Sequence, residues 1–297
     1  VGFLDERAGL AGRVAAIAGG GGGLGRASAL DLARAGVSLV LADVDGVALA
    51  RTADEARDEG AEVLDMTLDV RDPDALATLF AASDERFGRL DVSVNVVGGT
   101  FRAAFADVSA KGRDALVRAN FTWIVDAIQL AAARMAAGGR GGSIITITSI
   151  EAHRAAPGYA IYASMKAAVT HLTRTLAVEL GGAGIRVNCV APDFIPTAGL
   201  AAIAGRAGSA GQRAAAAGDG TDPGDWLTIP LRRKGDPADV GNSVLFLASD
   251  MSSYITGTTL HPDGGSLAMS GWMEWPDDGF TARPPAWVLD RLEAPEA

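Results

Sequence analysis

The stretch VAAIAGGGGGLGRASALDLARAG, Val14–Gly36, decides the fold. Val14 to Ala18 is a short apolar run, Gly19 to Gly25 is broken only by Leu24, and apolar residues then recur at helical spacing from about Leu24 to Ala35. The segment therefore predicts a buried strand, a glycine turn and an amphipathic helix in succession. Glycines let the main chain come close to a ligand, and the unpaired amides and positive dipole end of the following helix attract an anion, so the loop is expected to cradle a pyrophosphate. Two registers fit the same loop: Gly20, Gly22 and Gly25 match GxGxxG, and Gly19, Gly23 and Gly25 match GxxxGxG.

The next apolar run, VSLVLAD, ends in Asp43, about 20 residues beyond the glycines, where a dinucleotide-binding unit places an acid for the adenosine ribose hydroxyls. A carboxylate there repels a 2′-phosphate, which favours NAD over NADP. Gly22 and Val44 offer no cation to offset it, and Arg26 is the nearest in sequence. Further along, YASMK sets Tyr162 four residues before Lys166, one helical turn apart, so that both side chains share a face. The ammonium is expected to favour the phenolate and lower a pKa that is ordinarily about 10.

Together these segments resemble the short-chain dehydrogenase/reductase family, with a likeness that runs from about Leu10 to Gly265. Its TGxxxGxG loop is present as AGGGGGLG, Ala18–Gly25, with Ala18 in the threonine position. The resemblance assigns Gly19, Gly23, Leu24, Gly25 and Asp43 to the cofactor, along with Asp69 and Val70 of LDV beside the adenine and Asn95 and Gly98 of NVVG. Val96 and Val97 depart from the family's NNAG, and the missing second Asn removes a tie between the central strand and its neighbours. RVNCVAPDFIPT is similar to RVNxVxPGxIxT, which assigns Pro192, Ile195 and Thr197 to the nicotinamide end and puts Asp193 in place of Gly. SYITGTTLHPDGG resembles the family's last strand and closing DGG. The catalytic set carried over is Asn120 in RANF, Ser149 in ITITSI, and Tyr162 and Lys166 in YASMK, with Ser149 thirteen positions before Tyr162.

Each of these residue types suits alcohol oxidation. Tyr162 would accept the hydroxyl proton while hydride leaves the same carbon for the nicotinamide, with the roles reversed in reduction. Lys166 would hold the phenolate and the nicotinamide ribose, Ser149 would orient the substrate oxygen, and Asn120 resembles the residue that links Lys166 to solvent through water. The expected activity is NAD-dependent interconversion of a small-molecule secondary alcohol and a ketone, with Phe101, His153, Tyr159, Phe194 and Trp226 as candidate apolar walls. Two alternatives are a 3-oxoacyl carrier-protein reductase, which Asp43 opposes because that role commonly uses NADPH, and a catalytically silent dinucleotide-sensing protein.

The chain has 297 residues, and its strand–helix alternation continues to about Leu260 without a linker-like break. One α/β domain over residues 1–297 is expected: a Rossmann-like doubly wound parallel sheet with helices on both faces, and by resemblance seven strands. A net charge of −10 opposes nucleic-acid and anionic-membrane partners. The single Cys189, in an apolar strand, reads as core and excludes a thiolate metal cluster. His153, His171 and His261 show no ligand spacing, so no metal is expected. With no 18-residue apolar span and no secretory leader, a cytoplasmic location is expected. Residues 194–230 form the expected substrate loop. The extension 266–297, dense in Trp272, Met273, Trp275, Phe280 and Trp287, is expected to pack on the cleft or on a neighbouring copy. By resemblance the protein is a homo-tetramer or dimer.

Overall fold

A computed structural model describes residues 2–197 and 227–290. Most of the expected substrate loop, Trp226 and the end of the extension lie outside the described residues. Seven strands run parallel in the order β3-β2-β1-β4-β5-β6-β7. They are β1 (Val14–Ala18), β2 (Ser38–Asp43), β3 (Val63–Thr67), β4 (Val92–Asn95), β5 (Gly142–Ile147), β6 (Ile185–Val190) and β7 (Thr259–Leu260). The order reverses between β1 and β4, which opens a crevice at their carboxyl ends, the place where such sheets receive ligands.

Successive residues of β1 point to opposite faces and are buried on both. Ala15 and Ile17 join a core with α2 (Gly23–Arg34), α3 (Gly46–Asp58) and α8 (Pro237–Ala248), whereas Val14, Ala16 and Ala18 join a core with α4 (Pro73–Phe87), α6 (Trp123–Gly138) and α7 (Ala160–Leu180). A strand buried on both faces must be apolar throughout, as VAAIA is. A short α1 (Phe3–Ala8) precedes the sheet, and α5 (Ala110–Val117) leads through a π-helical turn, Arg118–Thr122, into α6. Helix starts follow their side chains: Asp45 caps α3 by accepting from Val47 and Ala48 amides, and Asp236 followed by Pro237 opens α8 with a reciprocal cap from Asp239.

The glycines of the opening loop do different work. An added Cβ at Gly25 would lie 1.8 Å from the Gly19 carbonyl oxygen, so α2 rests directly on the end of β1 only because position 25 has no side chain. At Gly22, with extended backbone (φ −158°), an added Cβ would meet nothing within 4 Å among the described residues. After β7, the extension forms α9 (Ser266–Met269), an antiparallel hairpin of β8 (Met273–Trp275) and β9 (Gly279–Thr281), and α10 (Ala286–Leu289). Trp275 and Trp287 meet edge to face at 5.7 Å, and Trp272 and Phe280 remain more than half exposed.

Gly25→Ala is expected to cost about 3 kcal/mol or more through overpacking against main chain, and Gly22→Ala less than about 0.5 kcal/mol. Urea denaturation of the two variants checks this, and equal costs would contradict the contact described.

Candidate active site

The residues assigned from the sequence collect at the carboxyl edge of the sheet. Ser149 follows β5, Tyr162 lies in the first turn of α7, and Lys166 stands one turn further in, buried. Asn120, also buried, occupies the π-helical turn before α6. The Ser149 hydroxyl, which accepts from the Glu151 amide at 3.2 Å, lies near enough to the Tyr162 phenol to act on its charge. Lys166 Nζ donates to the Ile147 carbonyl at 2.9 Å and lies 5.7 Å from the centre of the Tyr162 ring.

Electrostatics here are governed by burial. It pushes the Lys166 ammonium down to about 8, with a small opposing contribution from Cys189. It also pushes the Tyr162 phenol up, against the opposing pull of the Ser149 hydroxyl and with help from the nearby Glu151 charge. The expectation that Lys166 lowers the Tyr162 pKa is thus corrected: desolvation outweighs it, and the ammonium is turned to a carbonyl. Cys189, read as core, is buried against Thr173 and is pushed up to about 11.

Asn120 spends both amide protons, on the Gly99 carbonyl at 2.8 Å and the Leu116 carbonyl at 2.9 Å, and accepts from the Gly99 amide at 3.3 Å. It pins the turn after β4. That turn must be bare, because a Cβ at Gly98 would sit 3.0 Å from Asn120 Oδ1 and 3.3 Å from Lys166 Nζ. Asn95, at the end of β4, donates to Thr146 Oγ1 at 3.2 Å, and its buried Oδ1 has no hydrogen-bond partner among the described residues. The Val96 and Val97 amides bond the Ala18 carbonyl.

Around the glycine loop, Asp43 accepts from the Gly21 amide at 2.9 Å and from the Asp45 amide at 3.1 Å. A carboxylate has about four acceptor positions, so capacity remains for two hydroxyls. Arg26 is turned away, paired with Glu55 of α3. Leu24 is half-buried against the core. Thr197 closes over the loop, since a Cβ at Gly23 would meet its Cγ2 at 3.0 Å. Pro192 is buried and its carbonyl accepts from the Ile150 amide. Ile195 sends its side chain into the core beneath Gly235, so its contribution to a nicotinamide would come from main chain. Val70 is buried, and Asp69 forms a two-pronged pair with Arg71 at 2.8 Å that holds its carboxyl below the usual range. A bare loop, an open face at Gly22 and an acid with spare acceptors fit a dinucleotide.

Asp193, in the position of the family's Gly, points to Arg154 at 3.4 Å. Burial raises its pKa. The Ser266 hydroxyl pulls it down although it makes no well-formed hydrogen bond, Arg154 also lowers it, and Glu151 and Asp263 raise it. Arg154 also pairs with Glu151 at 2.9 Å. Glu151 and Arg154 were not among the sequence-assigned residues. Their closeness in sequence to Ser149 was the available signal. His153 packs edge to face on His261 at 4.6 Å, and burial pushes its pKa down. Among the described residues no group of His, Cys, Asp or Glu could hold a metal ion, and no helix is long and apolar enough to cross a membrane.

A doubly wound sheet with a glycine loop at its reversal point and a Ser–Tyr–Lys group beside it defines a dinucleotide-dependent oxidoreductase site. Comparisons agree. The family model described as enoyl-(acyl carrier protein) reductase matches residues 19–266. Oxidoreductase UcpA of Escherichia coli (strain K12) is 35% identical over 263 residues, 86% of this chain and 95% of that protein. The 3-oxoacyl-[acyl-carrier-protein] reductase FabG of Thermotoga maritima is 34% identical over 256 residues, 86% of this chain and 98% of its own length. The crystal structure of carveol dehydrogenase from Mycobacterium avium in complex with NAD matches with a TM-score of 0.77 at 32% identity, covering 87% of this chain and 98% of that one. The chain belongs to the short-chain dehydrogenase/reductase family of oxidoreductases.

A lysine with a depressed folded pKa holds fewer protons in the folded than in the unfolded state above pH 8, so its contribution makes stability rise with pH from about 8 toward the unfolded lysine value near 10.4. Cys189, raised from 9.0 to about 11, acts oppositely above pH 9. The wild type should therefore gain about 1 kcal/mol between pH 7.5 and 9 relative to Lys166→Met. Urea midpoints across that range test the sign, and parallel profiles would refute the buried charge.

Proposed function

We propose that this protein is an NAD-dependent dehydrogenase that interconverts a secondary alcohol and a ketone, with an apolar or aromatic substrate. The observation that carries this reading is the gathering of the Ser149 and Tyr162 hydroxyls beside the buried Lys166, whose Nζ lies 5.7 Å from the Tyr162 ring centre. When bound, the nicotinamide supplies the hydride acceptor or donor. Tyr162, its pKa raised, is a proton donor at neutral pH and serves ketone reduction directly. In alcohol oxidation it takes the hydroxyl proton, and the positive charge of Lys166 stabilises the phenolate. Ser149 donates to the substrate oxygen as charge develops there. Asn120 fixes the turn that clears space for Lys166.

Asp43 supports NAD over NADP. Its carboxylate faces the glycine loop, and Arg26, the cation nearest in sequence, is engaged with Glu55. The likeness to a carveol dehydrogenase in complex with NAD points the same way. A 3-oxoacyl-[acyl-carrier-protein] reductase is the second reading, favoured by the Thermotoga relative and opposed by Asp43. Phe101, Tyr159, His153 and Phe194 support an apolar pocket, since none of them is buried. Self-association draws support from the exposed Trp272, Phe280 and Trp287 of the extension.

Turnover on a panel of secondary alcohols and 3-oxoacyl thioesters with NAD(H) and NADP(H) separates these readings. Tyr162→Phe should lower kcat by about 10²- to 10⁴-fold with NADH binding, read by fluorescence, nearly unchanged. A variant that keeps most of its rate would overturn the assignment.

Cofactor choice is checked separately by comparing kcat/KM for NAD and NADP. A preference for NAD that narrows in Asp43→Ala is expected, and a preference for NADP in the wild type would sink the role given to Asp43.

A further inference from the structure

The amino-terminal edge of the sheet, opposite the edge that bears the candidate active site, holds a cleft of about 710 Å³. Four adjacent strands enter the sheet there with an arginine each: Arg13 before β1, Arg89 before β4, Arg140 before β5, and Arg186 in β6. Neighbouring strands lie about 4.8 Å apart, so the order β1-β4-β5-β6 sets these residues in a row, and all four line the cleft.

Among the described residues, two carboxylates line it with them. Asp91 is buried, accepts from the Val14 amide at 2.9 Å, and holds Arg89 at 2.7 and 2.8 Å. Asp250 holds Arg13 at 2.6 Å. Arg140 reaches Asp91 only at 3.8 Å, a loose pair, and is nearly half exposed. Arg186 has no carboxylate partner among the described residues and donates to neutral groups, Ser252 Oγ at 2.8 Å and the Ser249 carbonyl at 3.2 Å. Burial and the neighbouring Arg13 charge depress its pKa, and Asp250 offsets them only in part. Two guanidinium charges are thus left over in a concavity of a protein whose net charge is −10. The wall between them is bare main chain, because Gly141 and Gly184 both have φ +72° and a Cβ at Gly141 would lie 2.4 Å from the Gly184 carbonyl oxygen.

We propose that this cleft binds a polyvalent phosphate anion, a diphosphate or a phosphate ester, between Arg140, Arg13 and Arg186. Guanidinium forks match pairs of phosphate oxygens, and such charge-assisted bonds are the strong ones. A phosphate would supply the negative charge that Arg186 lacks and would tighten the loose hold on Arg140. This site is separate from the glycine loop, which lies at the other end of β1.

Calorimetric titration of the full chain with inorganic pyrophosphate at low ionic strength tests the proposal. Saturable binding is expected, weakened about tenfold or more in Arg140→Gln and less in Arg140→Lys, which retains the charge but loses the fork. Circular dichroism melts of both variants should match the wild type, since Arg140 is exposed and outside the candidate catalytic group. Added inorganic phosphate and phenyl phosphate distinguish the sources: tighter binding of the ester assigns the site to a phosphorylated molecule, and equal binding to the free ion. Absence of saturable pyrophosphate binding, or binding unchanged in Arg140→Gln, overturns the assignment, the latter placing the anion in the glycine loop.

Discussion

The close approach of α2 to β1 is the constraint on which the rest of the structure depends. It requires a missing side chain at Gly25, where a Cβ would collide with the Gly19 carbonyl oxygen. The same economy continues outward: a Cβ at Gly241 of α8 would lie 2.2 Å from Asp31 Oδ2 and 3.3 Å from the main chain of Ala27, so β1, α2 and α8 stack with glycine at both contacts. The stack aims the amino end of α2 along the loop, where its unpaired amides can meet an anion. It has a cost in Asp31, whose Oδ2 is buried without a hydrogen-bond partner among the described residues and whose pKa is raised by burial despite Arg34.

A second constraint is the buried charge of Lys166. An ammonium away from water must find acceptors or lose its proton. Here it has the Ile147 carbonyl, at the end of β5, and the space that Gly98 leaves open toward Asn120. The geometry of three elements is thereby tied together: the end of β5, the turn after β4 and the face of α7. The phenol of Tyr162 inherits that low-dielectric setting. Its proton affinity is governed by desolvation first and by Ser149 and Glu151 second.

Legibility in the sequence followed the distance over which each feature is determined. The strand, glycine turn and helix of Val14–Gly36 were readable because apolar period and glycine placement are local, and the helix observed, Gly23–Arg34, differs from the expected span by one residue at each end. The Tyr162–Lys166 spacing was readable for the same reason. The direction of the Tyr162 shift was not, because it comes from burial by chain segments distant in sequence. The hairpin of Met273–Trp275 and Gly279–Thr281 escaped notice because strands of three residues show no alternation. The arginine row was invisible for a topological reason. Arg13, Arg89, Arg140 and Arg186 are scattered along the chain, and only the order β1-β4-β5-β6 makes them neighbours.

Asp193 shows how a departure from a family pattern can be absorbed. A side chain in place of glycine would obstruct the nicotinamide end if it pointed inward, but this one is drawn toward Arg154, which also holds Glu151. One guanidinium thus serves two carboxylates, with Asp263 adding a third negative charge nearby, and the half-buried Asp193 responds with a raised pKa. Its other neighbour is Ser266, the first residue of α9, where the family match ends and the extension begins. Asp263 in turn binds the Gly265 and Leu267 amides and so anchors the start of that helix. The unusual carboxylate and the added segment therefore meet at one point. This substitution lies at the junction between the shared core and the extension, where a change in either alters the charge balance around Arg154 and, through Glu151, the field at the Tyr162 phenol.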